Sequence, residues 1–150
     1  MGTICFVILN YKTWREAAAC AEAILKTQQG QDIRIVLVDN GSGNGSEESL
    51  REEFAGEKRV HVIASEKNLG FARGNNLGIR YARSHFEPDF IVAANSDIIF
   101  EQEDYCEKLR EIYKEERFDI LGGDIVDASR KQAVHVKLYA ETDPGFLGEM

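Results

Sequence analysis

The run TICFVIL, residues 3–9, is the stretch that decides the fold. It is continuously apolar and rich in β-branched side chains, which is typical of a strand buried on both faces in a parallel sheet. Thr13, with Glu16 three residues later, matches a capping box and predicts a helix that begins after Thr13. One face of this helix is predicted to be buried, carrying Ala17, Cys20, Ala21, Ile24 and Leu25.

The alternation of strand and helix continues along the chain. Apolar runs that predict strands occupy residues 33–39, 59–64 and 89–95, with further candidates at 119–127 and 133–140. Helical patterns lie at 46–54 with Ser46 as N-cap, from about 71 to 85, and at 104–116. The second of these helices has a predicted inward face with Ala72, Asn75, Ile79, Ala82 and Phe86. The pattern predicts one α/β domain over residues 1–150, with a mainly parallel sheet flanked by helices.

Charge and composition narrow the classes of partner. The formal net charge of −8 over 150 residues argues against nucleic acid or an anionic membrane, because those partners require a basic surface. The sequence has an odd number of cysteines, and they lie far apart, as expected for free thiols in a reducing cytoplasm; they are Cys5, Cys20 and Cys106. The sequence shows no secretory signal pattern and no apolar run of membrane-spanning length. The first strand is not followed by GxGxxG, which disfavours an NAD site.

Polar residues follow three strands that are predicted to be buried, at their carboxyl ends, where open α/β sheets bind ligands. They are Asn10 with Tyr11, Asp39 with its glycine-rich turn, and the segment NSD from Asn95 to Asp97. The carboxylate of Asp39 only accepts hydrogen bonds, so it suits a nucleobase with an imide or lactam N–H, as in uracil, thymine or guanine. A cap on its own turn explains Asp39 at least as well on position alone.

Asp97 and the segment KNLGFARGNN, residues 67–76, are candidates for binding an anionic ligand. A lone carboxylate such as Asp97 suits Mg²⁺ or Mn²⁺ when a substrate diphosphate completes the coordination shell; otherwise it is an acidic turn residue. Arg73 opens a predicted helix, where the guanidinium and the helix N-terminus both favour phosphate; otherwise it is a solvated residue of the helix start. Asn75 is polar on an apolar face; it either lies near the ligand or is a buried side chain that bonds to the sheet end.

Five segments, taken in order, resemble the family 2 glycosyltransferases, which have a GT-A fold. They are FVILNYKTW, IVLVDNGSGNGS, NLGFARGNNLGIRYA, FIVAANSDI and LGGDIVD. The resemblance covers nearly the whole chain and looks closest to rhamnosyltransferase-like bacterial members. It implies a Rossmann-like α/β domain that binds a nucleotide sugar.

The resemblance also implies roles for individual residues. Asp39 would accept a hydrogen bond from the N3–H of the base, and the strand end at Asn10 and Tyr11 would line the base and ribose pocket. Asn68 and Arg73 would lie near the nucleotide.

Three further residues complete the implied nucleotide-sugar site, namely Asn75, Asn95 and Asp97. Asn95 and Asp97 occupy the family's DxD positions, with Asn95 in place of the first acid. Asp97 would then be the metal ligand and would hold Mg²⁺ or Mn²⁺ together with the donor diphosphate.

The implied activity is transfer of a sugar, with inversion, from a UDP- or dTDP-sugar to a glycan or lipid-linked acceptor in cell-wall or polysaccharide biosynthesis. Family members carry a second half with a carboxylate general base, but PGFLGEM, residues 144–150, lacks that motif, and nothing marks Asp124 or Asp127 as the base. We therefore expect a truncated domain that lacks most of the acceptor-binding half. Its exposed end could pair with a second copy, and peripheral membrane association would come from missing regions or partners. The alternatives are a nucleotide-sugar-binding module without turnover and, with less support, a sugar nucleotidylyltransferase relative.

Overall fold

The computed structural model describes residues 2–123, 125–127 and 132–134, with side chains for residues 2–123. The chain divides into two compact units, residues 1–106 and 107–150. The elements up to residue 116 are, in order, β1 (Ile4–Asn10), α1 (Trp14–Thr27), β2 (Ile33–Asp39), α2 (Ser46–Glu53), β3 (Val60–Ala64), α3 (Phe71–Phe86), β4 (Phe90–Asn95) and α4 (Tyr105–Glu116).

The first four strands form a parallel sheet in the order β3-β2-β1-β4. This confirms the α/β class and the parallel sheet that the alternating pattern predicted. β1 and β2 occupy the middle of the sheet and are almost wholly buried, as their continuous apolar sequences indicated. Asn10 pairs in register with Asp39, and Leu9 pairs with Asn95. The strands that carry the candidate residues therefore end together at one edge.

Strand β4 was predicted to be buried, and that prediction is wrong for most of its length. Ala94 is buried, whereas Ala93 and Asn95 are exposed. β4 lies at the outer position beside β1, so within the described sheet it has a strand neighbour on one side. The outer edges of β3 and β4 carry no further strand among residues 2–123. Pairing of a second copy through such an edge stays a prediction.

Helix α3 approaches the sheet through glycines. A Cβ atom on Gly78 would lie 2.4 Å from Cγ1 of Val7 and 2.7 Å from Cγ2 of Val38. A Cβ atom on Gly74 would lie 2.7 Å from Cδ1 of Leu9. These separations are far below normal contact distances, so the helix can lie this close to β1 and β2 only because both positions lack a side chain.

The predicted inward face of α3 is therefore only partly correct. Asn75 and Ala82 are buried, Ile79 and Phe86 are half-buried, and Ala72 is exposed. The helical periodicity was correct, but the predicted face left out Gly74 and Gly78, which lie against the side chains of β1 and β2.

The first turns of α1 and α2 differ from the predicted caps. The backbone N–H and the hydroxyl of Thr13 donate to Asn10 Oδ1 at 3.1 and 3.4 Å. Thr13 is the N-cap residue, but its side chain makes no capping hydrogen bond, so the capping box does not form. In α2 the N-cap is Gly45, with φ 83°, and Ser46 is the first helical residue. The Ser46 N–H and hydroxyl donate instead to Asn44 Oδ1, at 3.2 and 2.6 Å.

The second unit contains two short antiparallel strands, β5 (Ile125–Asp127) and β6 (Gln132–Val134). They coincide with parts of the strand candidates at 119–127 and 133–140. Asp124 and the residues after 134 lie outside the described part of the chain. Within the described ranges, no helix is long and apolar enough to cross a bilayer.

Candidate functional site

The carboxylate of Asp39 is buried at the end of β2, with 4% of the residue exposed. Its Oδ1 accepts hydrogen bonds from Asn10 Nδ2 at 2.8 Å and from the Ser42 hydroxyl. Its Oδ2 accepts a longer bond, 3.4 Å, from the Ser42 backbone N–H. Asp39 therefore does cap its own turn, as the alternative interpretation predicted. Most of the remaining acceptor capacity of this carboxylate lies on Oδ2.

A second set of bonds ties the turn after β1 to the same carboxylate. The Lys12 N–H donates to Ser42 Oγ at 2.8 Å, and Ser42 in turn donates to Asp39. Lys12 has φ 64°, a backbone conformation that is uncommon outside glycine. Tyr11 is 43% exposed, and the Lys12 Nζ lies 5.1 Å from the centroid of its ring. An exposed aromatic ring and a cation thus sit beside a buried, hydrogen-bonded layer.

A cleft of about 350 Å³ opens at Asp39. It is lined by residues from the turn after β2, the start of α2 and the segment after β3, namely Asp39, Gly41, Gly43, Gly45, Ser46, Glu47, Glu48, Ser65 and Glu66. Four of these residues are acidic and none is basic, so the cleft attracts hydrogen-bond donors and repels phosphate. The cleft suits the neutral, donor-bearing part of a ligand.

The start of α3 brings Asn68 and Arg73 to the same edge. Arg73 is exposed in the first turn of the helix, and Gly70 is the N-cap. Asn68 Oδ1 accepts from the Gly70 N–H at 2.8 Å and from Asn40 Nδ2 at 3.2 Å. Asn68 thus helps to hold the entry into α3. Arg73 adds a permanent cation beside the positive end of the helix dipole.

Asn75 is buried, and its Nδ2 donates to the Phe71 carbonyl at 3.0 Å. This bond reaches back four residues within the same helix. Of the two interpretations, the second is correct about burial, but the Asn75 amide donates to its own helix instead of to the sheet end.

Asn95 and Asp97 are exposed at the end of β4. The Cys20 Sγ lies 3.9 Å from the Asn95 carbonyl oxygen. Burial, and to a smaller extent the negative charge of Asp97, raise the pKa of this thiol to about 11. No cluster of three metal-ligating side chains occurs within the described residues. A single exposed carboxylate fits Mg²⁺ or Mn²⁺ when ligand oxygens and water supply the rest of the shell.

Direct hydrogen bonding at this edge joins Asn10 to Asp39, and Asn68 is linked to the end of β2 through Asn40. Asn40 and Ser42 were not singled out from the sequence, yet they make many of the bonds at this edge. The available signal was the run DNGS, residues 39–42, which places two bonding side chains directly after a strand-ending carboxylate.

Comparison with known sequences gives consistent results. The family described as Glycosyl transferase family 2 matches residues 5–146. Glycosyltransferase GlyG of Streptococcus pneumoniae is 33% identical over 121 residues, which cover 81% of this chain and 38% of that protein. The low-salt glycan biosynthesis hexosyltransferase Agl10 of Haloferax volcanii is 27% identical over 75% of this chain and 32% of its own length. The chain spans about a third of the length of these relatives.

Solved structures share the fold. The S. aureus protein TarS, residues 1–349, in complex with UDP-GlcNAc, has a TM-score of 0.63 at 18% identity, covering 79% of this chain and 33% of that one. The mannosyltransferase PcManGT from Pyrobaculum calidifontis, in complex with GDP-Man and Mn²⁺, has a TM-score of 0.64 at 13% identity, covering 78% and 34%. At these identities the likeness shows the GT-A arrangement and nothing about ligands.

Proposed function

The chain belongs to glycosyl transferase family 2, and from that premise we propose that it forms the donor-binding part of a sugar-transferring enzyme. The donor is a UDP- or dTDP-sugar, and the acceptor is a glycan or a lipid-linked molecule of cell-wall or polysaccharide biosynthesis. Residues 1–150 would belong to one GT-A domain and supply its nucleotide-sugar-binding part. The alignment of three strand ends at one edge supports this assignment.

The buried carboxylate of Asp39, at the wall of the cleft, is the observation that carries the proposal. An acceptor-only group in an acidic cleft suits a base that presents an N–H. Oδ1 already has two donors, Asn10 Nδ2 and the Ser42 hydroxyl, whereas Oδ2 has one long bond. One further donor is therefore accommodated more readily than two.

This difference between the two oxygens separates the candidate bases. Uracil and thymine present one imide N–H, which Oδ2 of Asp39 can accept alone. Guanine presents two adjacent N–H donors, and these pair best with both oxygens of a carboxylate. Because Oδ1 is filled, Asp39 favours uracil or thymine over guanine. Tyr11 and Asn10 would lie on the same side as the base and ribose.

The diphosphate is expected outside the acidic cleft, near the N-terminus of α3. Arg73 is exposed there, and Asn68 and Asn75 shape the first turns of the helix. Asp97, with Asn95 at the preceding DxD position, would hold Mg²⁺ or Mn²⁺ jointly with the diphosphate. When bound, such a cation offsets charge on the departing nucleoside diphosphate.

Transfer with inversion is a direct displacement, so a base must take the proton of the acceptor hydroxyl. None of the described side chains is assigned to that step. Asp124 lies outside the described residues, and only the backbone of Asp127 is described. The base would belong to the acceptor-binding half of the enzyme.

The finer features of the donor and the compartment belong to the same proposal. The sequence resemblance favours a rhamnosyl donor, which would make the nucleotide a dTDP-sugar. The three cysteines are buried and form no disulfide among the described residues, which is compatible with a reducing cytoplasm; they are Cys5, Cys20 and Cys106.

Thermal unfolding with UDP, dTDP, GDP and ADP, each with and without Mn²⁺, tests the donor site. UDP or dTDP should raise the Tm, because a ligand that binds only the folded state stabilises it by about 2.7 kcal/mol at a hundredfold excess over Kd. Asp39→Asn keeps the size of the side chain but removes its charge and one acceptor, and should abolish the shift. Asp32→Asn is the matched control, because Asp32 precedes the same strand at its opposite end and is exposed. The control should keep the shift.

Any other result would contradict a specific part of the proposal. A shift with GDP or ADP alone would overturn the assigned base, and no shift with any nucleotide would overturn the donor site. A Mn²⁺-dependent increment that survives Asp97→Asn would exclude Asp97 as the metal ligand. Binding of a UDP- or dTDP-sugar without transfer or hydrolysis would favour a binding module without turnover.

A further inference from the structure

We infer that Asn40 is a positioning residue for the donor site. It fixes the segment between β3 and α3, residues 65–70, against the end of β2, and so sets the position of Arg73 and of one wall of the cleft. This role depends on the proposed function, because the ligand that Arg73 and the cleft would hold is the nucleotide sugar.

The side-chain amide of Asn40 makes four hydrogen bonds to this one segment. Its Oδ1 accepts from the Leu69 N–H at 3.0 Å and from the Ser65 hydroxyl at 3.4 Å. Its Nδ2 donates to Asn68 Oδ1 and to the Gly70 carbonyl, both at 3.2 Å. Asn40 is 2% exposed, so water cannot readily replace these bonds.

Asn40 also meets the first turn of α3. The Gly70 carbonyl that accepts from Asn40 also accepts from the Gly74 N–H at 3.0 Å, within the first turn of the helix. A Cβ atom on Gly74 would lie 2.9 Å from Asn40 Nδ2, so the helix rests on the amide at this point. Arg73 stands between Gly70 and Gly74 in the chain. Movement of the amide would therefore move the turn that carries Arg73.

The same segment forms a wall of the cleft. Ser65 and Glu66 line it, and the Ser65 N–H donates to the Asp39 carbonyl at 3.0 Å. Gly41, next to Asn40, has φ 68°, and a Cβ atom there would lie 2.2 Å from the Lys67 carbonyl carbon. Backbone thus packs directly on backbone beside the amide. Asn40 and Gly41 together fix where the wall stands relative to the Asp39 carboxylate.

Gln28 offers a matched control at the opposite edge of the sheet. It is fully buried, its Nε2 donates to the Gln102 carbonyl at 2.6 Å, and its Oε1 accepts from the Cys106 N–H at 3.1 Å. None of these partners is shared with Asn40. Gln28→Ala therefore removes a comparable buried amide without touching residues 65–70.

The test compares Asn40→Ala with Gln28→Ala by amide hydrogen exchange and by affinity for UDP or dTDP, whichever binds the unsubstituted chain more tightly. Asn40→Ala should speed exchange at Leu69, Gly70 and Gly74 and weaken nucleotide binding by about tenfold or more, since displaced binding groups lose affinity steeply. Gln28→Ala should leave those amides protected and the affinity within about twofold, because the two sites are independent.

A second variant leaves Asn40 in place and guards against unfolding of Asn40→Ala. Asn68→Ala, at an exposed position, removes the oxygen that accepts from Asn40 Nδ2 and from the Gly70 N–H but keeps the bond between Asn40 Oδ1 and the Leu69 N–H. Exchange should then quicken more at Gly70 than at Leu69.

Unchanged exchange over residues 65–74, or an equal loss of affinity in Asn40→Ala and Gln28→Ala, would overturn the positioning role. An unsubstituted chain that binds no nucleotide would overturn the proposed function and the ligand part of this role. In that case, faster exchange in Asn40→Ala would still support Asn40 as the residue that fixes the segment.

Discussion

The two edges of the parallel sheet are each built around a buried amide side chain, and they differ in the groups that surround it. At the carboxyl edge, Asn40 bonds to residues 65–70. At the amino edge, Gln28 bonds to the Gln102 carbonyl and the Cys106 N–H. Each amide supplies donors and acceptors that burial would otherwise leave unpaired, at about 1–3 kcal/mol for each group.

The exposed groups at the two edges behave differently. At the amino edge Arg34 pairs with Asp32 at 2.8 Å, and the Thr3 hydroxyl donates to the same carboxylate at 2.6 Å. At the carboxyl edge Arg73 and Asp97 are exposed above the buried layer. Both edges are thus held by a buried amide. The ligand site is proposed at the carboxyl edge, where the exposed charges are available to a ligand.

The contact of α3 with the middle of the sheet should give the largest effect on stability. Gly78→Ala would place a Cβ atom 2.4 Å from a Val7 side-chain carbon. We expect a loss of about 1–3 kcal/mol from overpacking, even though alanine is the better helix former. Urea unfolding followed by circular dichroism measures it. Because Gly78 lies away from both edges, nucleotide affinity of the folded molecules should be retained.

Substitutions at two other glycines test whether the effect on nucleotide binding at the carboxyl edge can be separated from the effect on core packing. Gly74→Ala should lower both stability and nucleotide affinity, because its Cβ atom would press on the Asn40 amide. A Cβ atom on Gly56 would meet no neighbour within 4 Å, so Gly56→Ala should be neutral or slightly stabilising. A Gly78→Ala variant as stable as Gly56→Ala would contradict the close packing of α3.

A third buried polar group, on His61, differs from the two amides in its hydrogen bonding. His61 Nε2 is buried without a hydrogen-bond partner among the described residues. Burial lowers the pKa of His61 below 6.5, the positive charges of Arg34 and His85 lower it further, and a bond with the Lys58 backbone opposes the shift. The folded state therefore binds this proton less readily than the unfolded chain does. The contribution of His61 to stability is therefore greatest above about pH 6.5, is lost as the pH falls from there to the lower folded-state pKa, and changes no further below it.

His61→Phe should flatten this decline in Tm between about pH 7 and pH 5. The ring of His61 packs 4.7 Å from that of Phe86, so phenylalanine keeps an aromatic ring at the site. His85→Gln should reduce the decline without abolishing it, because it removes one of three causes. A Tm profile that is identical in the chain with and without His61 would assign the acid sensitivity elsewhere.

The smallest effect is expected at the surface of α2. Arg51 pairs with Glu47 at 2.9 Å over one helical turn, with side chains 52% and 36% exposed. Arg51→Ala should cost less than about 0.5 kcal/mol in urea unfolding, and the difference should shrink at about 1 M salt. A loss above about 1 kcal/mol would mean that this pair at the rim of the cleft contributes to the fold as the buried amides do.

The central strands and the meeting of their polar carboxyl ends at one edge could be predicted from the sequence. Burial on both faces demands a continuous apolar run, and β1 and β2 show it. Parallel strands end at a common edge, so Asn10 and Asp39 were expected close together, and Asn10 Nδ2 lies 2.8 Å from Asp39 Oδ1.

The remaining features depend on partners that are distant in sequence. Thr13 is a good N-cap residue by type, yet in the folded turn its N–H and hydroxyl donate to Asn10 Oδ1 and its side chain makes no cap. Asn40 looked like one more turn residue, since its partners lie 25–30 positions further along the chain. Gly78 carries no apolar signal at all, although it marks the closest approach of a helix to the sheet. Local sequence preferences do not predict such contacts, because the contacts exist only after the chain has folded.

The strand order has a consequence for how the chain is made. β1 is synthesised first, but it lies between β2 and β4, and its Leu9 pairs with Asn95. At the ribosomal rate of ~5–20 residues per second, β4 follows β1 by roughly 4–16 s. During that interval one edge of an apolar strand has no partner and can pair with other chains. The strand that is most protected in the finished protein is therefore among the most association-prone while the chain is being made.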